Sequence, residues 1–542
     1  MRYAGRHVVP TVALLAFLLV DGGCTRTSTP GGAATPPIVI GEAVEFHSLD
    51  PLLIEGYQSE MLGALVFSFL VTVDEHGRLV PDAAVAVPTQ ENGGISKDGL
   101  RITYHLRPGI RWQDGVPLTS ADCAFTYEAI ENPHNDLPSR AGYDEIRSVT
   151  TPDPATVVVT LKAPFSPITD AFLAPDYNYP ILPKHLLARY ADLNENAFNE
   201  HPIGSGPFRV VRWARGDHLT LERNADYFRG EPKTARIEIK FIPSYDTIVQ
   251  QLQTHEIDAA PALAPFTYPR LERLERTRVV LTPEAGMVAV YFNTKSAVVG
   301  DARVRRALIE ALDVPALLRD ATYGVELPGD PMRGLFGWAY HPEKPPPFDL
   351  AGANALLDAA GWHRTASGVR EKAGVPLALR YVASTATSAI YATTIQQALA
   401  RVGADVSIKT FAPQLFFAPG AMGGPVFGGK YDLSVLTIYT GAGDPDTSPY
   451  LGCDQIPPSG FNLAAFCDGP LERAQRDDAT TFDRARRERD MAVVERRLLD
   501  TLPIDVLAQL RQVTAVNDRM RGFSPTPLTP YARTWEWSLS AL

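Results

Sequence analysis

The residues with the most definite chemistry are four cysteines, Cys24, Cys123, Cys453 and Cys467. Cys453 and Cys467 bracket a turn-forming run, Pro457-Pro458-Ser459-Gly460, and thiols so close in sequence suit a local disulfide in an oxidising compartment. Closing so short a loop stabilises by roughly 3 kcal/mol on the loop-entropy account. No Cys-x-x-Cys spacing and no neighbouring histidine completes a zinc site around them. Cys123, between Asp122 and Ala124 on an expected helix, reads as a small buried apolar residue. Catalytic chemistry finds little support. There is no Gly-x-Ser-x-Gly turn, no His-Glu-x-x-His and no convincing pairing of nucleophile with base. Gly204-Ser205-Gly206-Pro207 lacks the Lys-Ser/Thr ending of a phosphate cradle. The histidines are scattered singly, without an i,i+4 pair, which argues against nickel and other metals. The expectation is a protein with no catalytic residues, no cofactor and no metal site.

Cys24 belongs to a different chemistry, that of export. Arg2, Arg6 and His7 precede an apolar run over residues 8–20, too short to span a membrane comfortably. A basic start, a short apolar stretch and then small residues make a secretory signal. Gly22-Gly23-Cys24 is similar to a bacterial lipobox, whose cysteine is diacylated after cleavage, although Asp21 stands where an aliphatic residue is usual. The small residues 31–34 offer an ordinary cleavage site instead. Residues 1–24 are thus assigned to the signal, and the Ser/Thr/Pro/Gly-rich residues 25–37 to a flexible tether. The expected location is the periplasm or the outer face of the cell membrane, with a lipid anchor at Cys24. No later segment has a long uncharged apolar run, so a role in transport needs a separate permease. The net charge of −11 argues against nucleic acid, which requires a basic face. A length of 542 residues implies two or three compact units.

The elements that must position these residues follow from pattern. Ile38-Val39-Ile40 reads as a strand, and Leu100, Ile102, Tyr104 and Leu106 alternate with polar residues as a half-buried one. Asp98-Gly99, Pro108-Gly109 and Asp114-Gly115 punctuate that region with turns. Thr119 with Asp122 forms a capping-box arrangement, Leu118 is placed as a hydrophobic staple, and a helix should run to about Ile130. Residues 156–161 read as a strand, and residues 208–213 and 219–222 as a pair around Arg215-Gly216-Asp217. From Asp301 the period becomes helical: Val304, Ala307, Leu308 and Ala311 share a face, and Arg303, Arg305 and Arg306 read as the solvated one. Helices are expected over 351–360, 393–401 and 482–500, and strands over 406–408 and 431–439. Trp112, Trp213 and Trp362 are assigned to core packing. Helices and strands alternate without repeats, so the class is α/β or mixed α+β with several lobes.

The ordered run Asp98-Gly99-Leu100, Tyr104-x-Leu106-Arg107-x-Gly109, Trp112-x-Asp114-Gly115-x-Pro117-Leu118-Thr119-x-x-Asp122 resembles the defining segment of the family 5 bacterial solute-binding proteins. These are the oligopeptide, dipeptide, nickel and glycoside receptors of ABC importers. Leu49-Asp50-Pro51, Pro202-x-Gly204-x-Gly206-Pro207-Phe208, Asn224-x-Asp226-Tyr227-Phe228, Glu256-Ile257-Asp258, Phe292-Asn293-Thr294, Asp301-x-Arg303-Val304-Arg305 and Ala360-Gly361-Trp362 are similar in the same order. The resemblance runs from about residue 38 to the C-terminus. It implies a cluster C type periplasmic binding protein with two main lobes, a hinge and an extra inserted domain. Domain I would comprise 38–75 with 200–285 and 506–542, domain II 76–199, and domain III 286–505. It also implies capture of a solute between domains I and III and delivery to an ABC permease and its ATPase subunits by a monomer.

The resemblance narrows the ligand further. Peptide receptors of the family often carry an aromatic residue, then an aspartate that pairs with the peptide ammonium, then Asp-Pro. Tyr439 occupies the aromatic position and Asp444-Pro445 the closing pair, while the earlier acid falls at Ala442 or is deleted. Asp444 or Asp446 would serve instead, and Phe46, near Leu49-Asp50-Pro51, joins Tyr439 as a candidate ligand contact. Cys453-Asp454 with Asn462-Leu463-Ala464-Ala465-Phe466-Cys467 resembles the disulfide loop of the dipeptide-receptor branch, yet residues 389–397 hold no arginine for a peptide carboxylate. The expectation is an oligopeptide rather than a dipeptide. A glycoside or metal complex, or a tethered sensor or chaperone without a transporter, is the alternative. The Gly-rich residues 419–430 have no role assigned by this pattern.

Overall fold

The alternating apolar residues of the first strand, Ile38 and Ile40, are fully buried and start a ten-stranded sheet. The structure, a computed structural model, describes residues 36–540 except 55, 176–178, 327–334, 386–387 and 440–442. The export signal, Cys24, the tether through residue 35, and Ala442 therefore lie outside the described residues. From Pro37 onward the chain makes one compact unit.

In chain order the strands of the large sheet are β1 (Ile38–Glu42), β2 (Phe208–Ala214), β3 (His218–Arg223), β4 (Arg236–Phe241), β5 (Ala259–Leu263), β6 (Thr277–Phe292), β7 (Ala378–Ser384), β8 (Asp405–Phe411), β9 (Leu433–Tyr439) and β10 (Ile504–Asn517). Their spatial order is β8-β7-β9-β6-β10-β5-β1-β4-β3-β2. β1 is parallel to both β4 and β5, and β7 is parallel to both β8 and β9. The two halves meet only at the antiparallel pair β6–β10, whose register runs from Thr277↔Asn517 to Tyr291↔Ile504. That register breaks between Pro283 and Met287, where the ladder hands over from one half to the other. Such a bulge bends the ribbon and increases its local twist.

A second sheet of three strands, Arg101–His105, Ile146–Asp153 and Thr156–Leu161, packs against the helix Ser120–Glu131. That helix begins as expected: the Thr119 N–H donates to Asp122 Oδ2 at 2.8 Å. Its Cys123 is fully buried, and Trp112 and Trp362 lie in the core. Trp213 is only half buried, with Arg215 stacked 3.4 Å above its ring. One apolar cluster joins β1 to this smaller sheet and to Tyr531 and Trp537 near the C-terminus. Two others cover opposite faces of the β6–β10 ribbon beyond the break, one holding Val288 and Leu507, the other Met287 and Val506.

Two details correct or refine the sequence reading. The helix Ala302–Glu310 exposes Arg303 and Arg306, but Arg305 is only 3% exposed. Its guanidinium donates to the carbonyls of Val299, Gly300, Thr501 and Leu502, which include the end of the helix Arg484–Thr501. The last carbonyls of a helix have no intrahelical donor, and Arg305 supplies one. The Gly204–Pro207 bend is a close backbone approach: a Cβ on Gly204 would lie 1.8 Å from the Val66 carbonyl oxygen, and the Gly206 N–H donates to that oxygen at 2.8 Å. Cys453 and Cys467 are disulfide-bonded, as their spacing suggested.

Candidate functional site

β9 is buried along nearly its whole length and delivers the exposed Tyr439 at its end, where the chain opens onto a cavity of about 400 Å³. Asp444 and Asp446 line the same cavity, together with Tyr291 and Tyr450. Ala141 and Pro167 reach it from the smaller-sheet region, so the cavity lies between parts of the chain distant in sequence. A cleft between such distant segments can take up a small solute.

The two aspartates differ in their charge balance. Asp444 makes a two-pronged ion pair with Arg487, 2.7 Å on each side, and Arg487 grips Asp478 at 2.9 Å through two further bonds. Asp444 and Arg487 have side chains only 8% and 7% exposed. A planar guanidinium fits carboxylates in this geometry better than an ammonium would. Trp338 completes the strap: its indole N–H donates to the Gly443 carbonyl at 2.8 Å, and Arg484 and Arg487 lie 4.5 and 5.3 Å from its ring centre. Asp446 accepts from the Ser448 N–H at 2.8 Å and from the Ser448 hydroxyl at 2.9 Å, and has no ion pair among the described residues. Burial, followed by the Asp444 charge, pushes its carboxyl up to about 6. Burial likewise raises Asp478 to about 7. Asp444 and Asp478 thus share one guanidinium, and Asp446 is the cavity-lining carboxylate that makes no ion pair among the described residues.

A neighbouring cavity of about 490 Å³ is walled by Phe67, Phe69, Tyr531 and Trp535, with Glu60 on its lining. Glu60 connects the two electrostatically. Crowding by the surrounding protein and then the charges of Glu284, Glu60 and Glu326 raise the Tyr439 phenol above its ordinary range, although the side chain is 62% exposed. Burial also raises Glu284 and Glu326 to about 7, and Glu326 accepts from the Tyr391 hydroxyl at 2.8 Å. The cleft around Tyr439 is therefore aromatic and acid-rich.

Of the four residues expected to contact ligand, Tyr439, Asp444 and Asp446 come together. Phe46 does not join them. It is 3% exposed, edge-to-face with Trp213 and Phe241 at 6.5 and 6.3 Å, and lines neither cavity. Arg487, Trp338, Phe417 and Phe461 are site residues that sequence reasoning missed. Arg487 is one of six arginines between 484 and 497, and nothing in that run marks it out. Phe461 carried a fainter signal, its place inside the disulfide loop. Among the described residues no three His, Cys, Asp or Glu side chains group as a metal site, and no helix is long and apolar enough to cross a membrane.

Comparison with known proteins agrees with this architecture. The profile of the "Bacterial extracellular solute-binding proteins, family 5 Middle" matches residues 79–455. The oligopeptide-binding protein AppA of Bacillus subtilis is 25% identical over 92% of this chain and 90% of its own length, and its structure with a nonapeptide superposes with a TM-score of 0.74. The glutathione-binding protein GsiB of Pectobacterium atrosepticum is 27% identical, covering 95% of this chain and 96% of that protein. NikZ of Campylobacter jejuni, solved with Ni(L-His), gives a TM-score of 0.75 at 25% identity over 93% of this chain and 99% of its own. The fold is that of a cluster C type periplasmic binding protein. With its profile match spanning most of the chain, the protein belongs to family 5 of the bacterial extracellular solute-binding proteins and is a non-enzymatic solute receptor of an ABC importer.

Proposed function

We propose that this receptor captures a peptide, an oligopeptide rather than a dipeptide, and delivers it to an ABC permease and its ATPase subunits. The observation that carries the reading is Asp446, the carboxylate that faces the 400 Å³ cavity without an ion pair while Arg487 answers Asp444. A desolvated ammonium needs such an anionic partner, or binding loses several kcal/mol. The aromatic walls and the names of AppA and GsiB support the same choice. Asp446 takes the role the family pattern gives to an earlier acid, and Tyr439 flanks it.

The division into domain I (38–75, 200–285, 506–542), domain II (76–199) and domain III (286–505) belongs to this proposal. The register break between Pro283 and Met287 supports a hinge there, because both long strands pass it. Ligand would then stabilise the closed state alone. A monomer held at the membrane by a lipid on Cys24 completes the reading.

Titration calorimetry with the tetrapeptide Ala-Phe-Ala-Ala tests it. An ammonium partner must be ionised, and the Asp446 carboxyl sits at about 6. Affinity should therefore rise with pH up to about 6, by at most about tenfold per unit, and level off above it. Asp446→Asn should flatten the profile and weaken binding, as should N-acetylation of the peptide. Equal affinity for the acetylated peptide would remove Asp446 from this role. Native mass spectrometry of the purified protein supplies an independent check, since a co-purified sugar or metal complex without peptide would refute the ligand class.

A further inference from the structure

Phe417 and Phe461, on the wall of the cleft, are 46% and 56% exposed, so both rings are open to a ligand there. They come from two segments that sequence reading left without a shared role. Phe417 ends the short helix Pro413–Phe416, whose Phe416 is fully buried, and leads into the Gly-rich residues 419–430. Phe461 lies in the loop closed by Cys453 and Cys467. Each is held from behind. The Gly-rich segment folds onto itself at distances only glycine permits: a Cβ on Gly424 would sit 1.7 Å from the Ala418 carbonyl oxygen, and one on Gly420 would sit 2.8 Å from the Gly428 Cα. That knot buries Val426 and sets Phe427 edge-on behind Phe461, with ring centres 5.5 Å apart. Inside the disulfide loop, the fully buried Asn462 donates to the carbonyls of Gly452 and Phe466 at 2.9 and 2.7 Å, which fixes the backbone beside Phe461. The Gly-rich knot and the disulfide loop therefore brace one another through an aromatic contact and present two rings to the cavity that Asp446 also faces.

We infer that Phe417 and Phe461 form a specificity wall that takes an apolar side chain of the bound ligand, with the Gly-rich segment and the disulfide loop as its supports. The inference rests on the peptide reading and deepens it, since it names the side-chain class selected at this cavity. A ligand that covers exposed aromatic surface gains hydrophobic and ring-packing energy that a polar side chain of similar reach forgoes.

The test compares Ala-Phe-Ala-Ala with Ala-Ser-Ala-Ala by calorimetry on the wild type and on Phe417→Ala, Phe461→Ala and Phe461→Leu, each checked for folding by its thermal melt. The wild type should prefer the phenylalanine peptide by about tenfold or more. Both alanine variants should reduce that ratio to within about threefold, and Phe461→Leu, which keeps an apolar body, should retain most of it. Phe427→Ala should lower the ratio partway by loosening its neighbour. A wild-type ratio near one would overturn the inference and leave the peptide reading standing, as would a ratio preserved in both alanine variants. If neither peptide binds the wild type, the peptide reading falls and the inference falls with it.

Discussion

Arg305 joins four carbonyl groups from two separate segments, residues 299–300 and 501–502, and no other side chain could replace it there. Burial pulls its pKa down to about 10, which still leaves the guanidinium charged at neutral pH. Its truncation would leave those carbonyls buried without a donor, and each unsatisfied group costs about 1–3 kcal/mol. Arg305→Ala should therefore destabilise the protein by about 2–4 kcal/mol in urea unfolding. Arg305→Lys should recover little, because one compact ammonium cannot span positions that a planar fork reaches. A loss under about 1 kcal/mol in the alanine variant would mean that water reaches these carbonyls. Arg303 and Arg306, on the same helix, are exposed and pair with Asp301 and Glu310. Helical spacing placed all three arginines on one polar face, but it cannot register a guanidinium that snorkels inward to a distant helix end.

The elements themselves were largely legible in the chain. Alternation at residues 100–106 and the Thr119–Asp122 pair are local signals, and the strand Arg101–His105 and the helix Ser120–Glu131 follow them. The disulfide was legible because a short closed loop is also a local fact. What stayed hidden depends on contacts between residues far apart in sequence: Arg487 with Asp444, Trp338 with Gly443, Phe427 with Phe461. Phe46 fails for the same reason, since only the fold brings Trp213 and Phe241 around it. The disulfide loop is the element where this matters most, because its closure is local while its cargo, Phe461 and Leu463, faces a shared cavity. The double variant Cys453→Ser with Cys467→Ser should lower stability by about 3 kcal/mol on the loop-entropy account. It should also weaken binding of Ala-Phe-Ala-Ala more than that of Ala-Ser-Ala-Ala, measured by calorimetry under conditions where both proteins are folded. A variant that loses stability yet keeps the full ratio would confine the disulfide to folding.

At the scale of the whole molecule the recurring feature is buried carboxyl groups without full neutralisation. Burial raises Glu42, Asp50 and Asp505 to about 7 each, against hydrogen bonds to Glu42 from Tyr531 and Tyr57 that pull the other way. Between about pH 4 and pH 7 the folded protein holds these protons while the unfolded chain has released them. Stability therefore falls as pH rises through that window, by up to about 1.4 kcal/mol per unit for each such group, and the cost is complete above the folded pKa. The Arg–Asp pairs nearer the surface work in the opposite direction. Arg303 beside Asp301 and Arg497 beside Asp468 hold those carboxyls below the usual range, so their contribution is present above about pH 4 and lost as pH falls through the folded values. The two sets together place maximal stability on the acidic side of neutrality, with the melting temperature highest near about pH 5 and declining toward pH 8. Glu42 offers the sharpest single test, because it sits at the end of β1 where Tyr57 and the C-terminal Tyr531 converge on one carboxylate. Glu42→Gln keeps an oxygen acceptor for the tyrosine hydroxyls and removes the titration. Urea unfolding at pH 5, 6 and 7 should give the variant a shallower fall in stability than the wild type, by as much as about 1.4 kcal/mol per unit. Parallel curves would show that Glu42 is ionised throughout this range and that the two tyrosines hold its charge against the cost of burial.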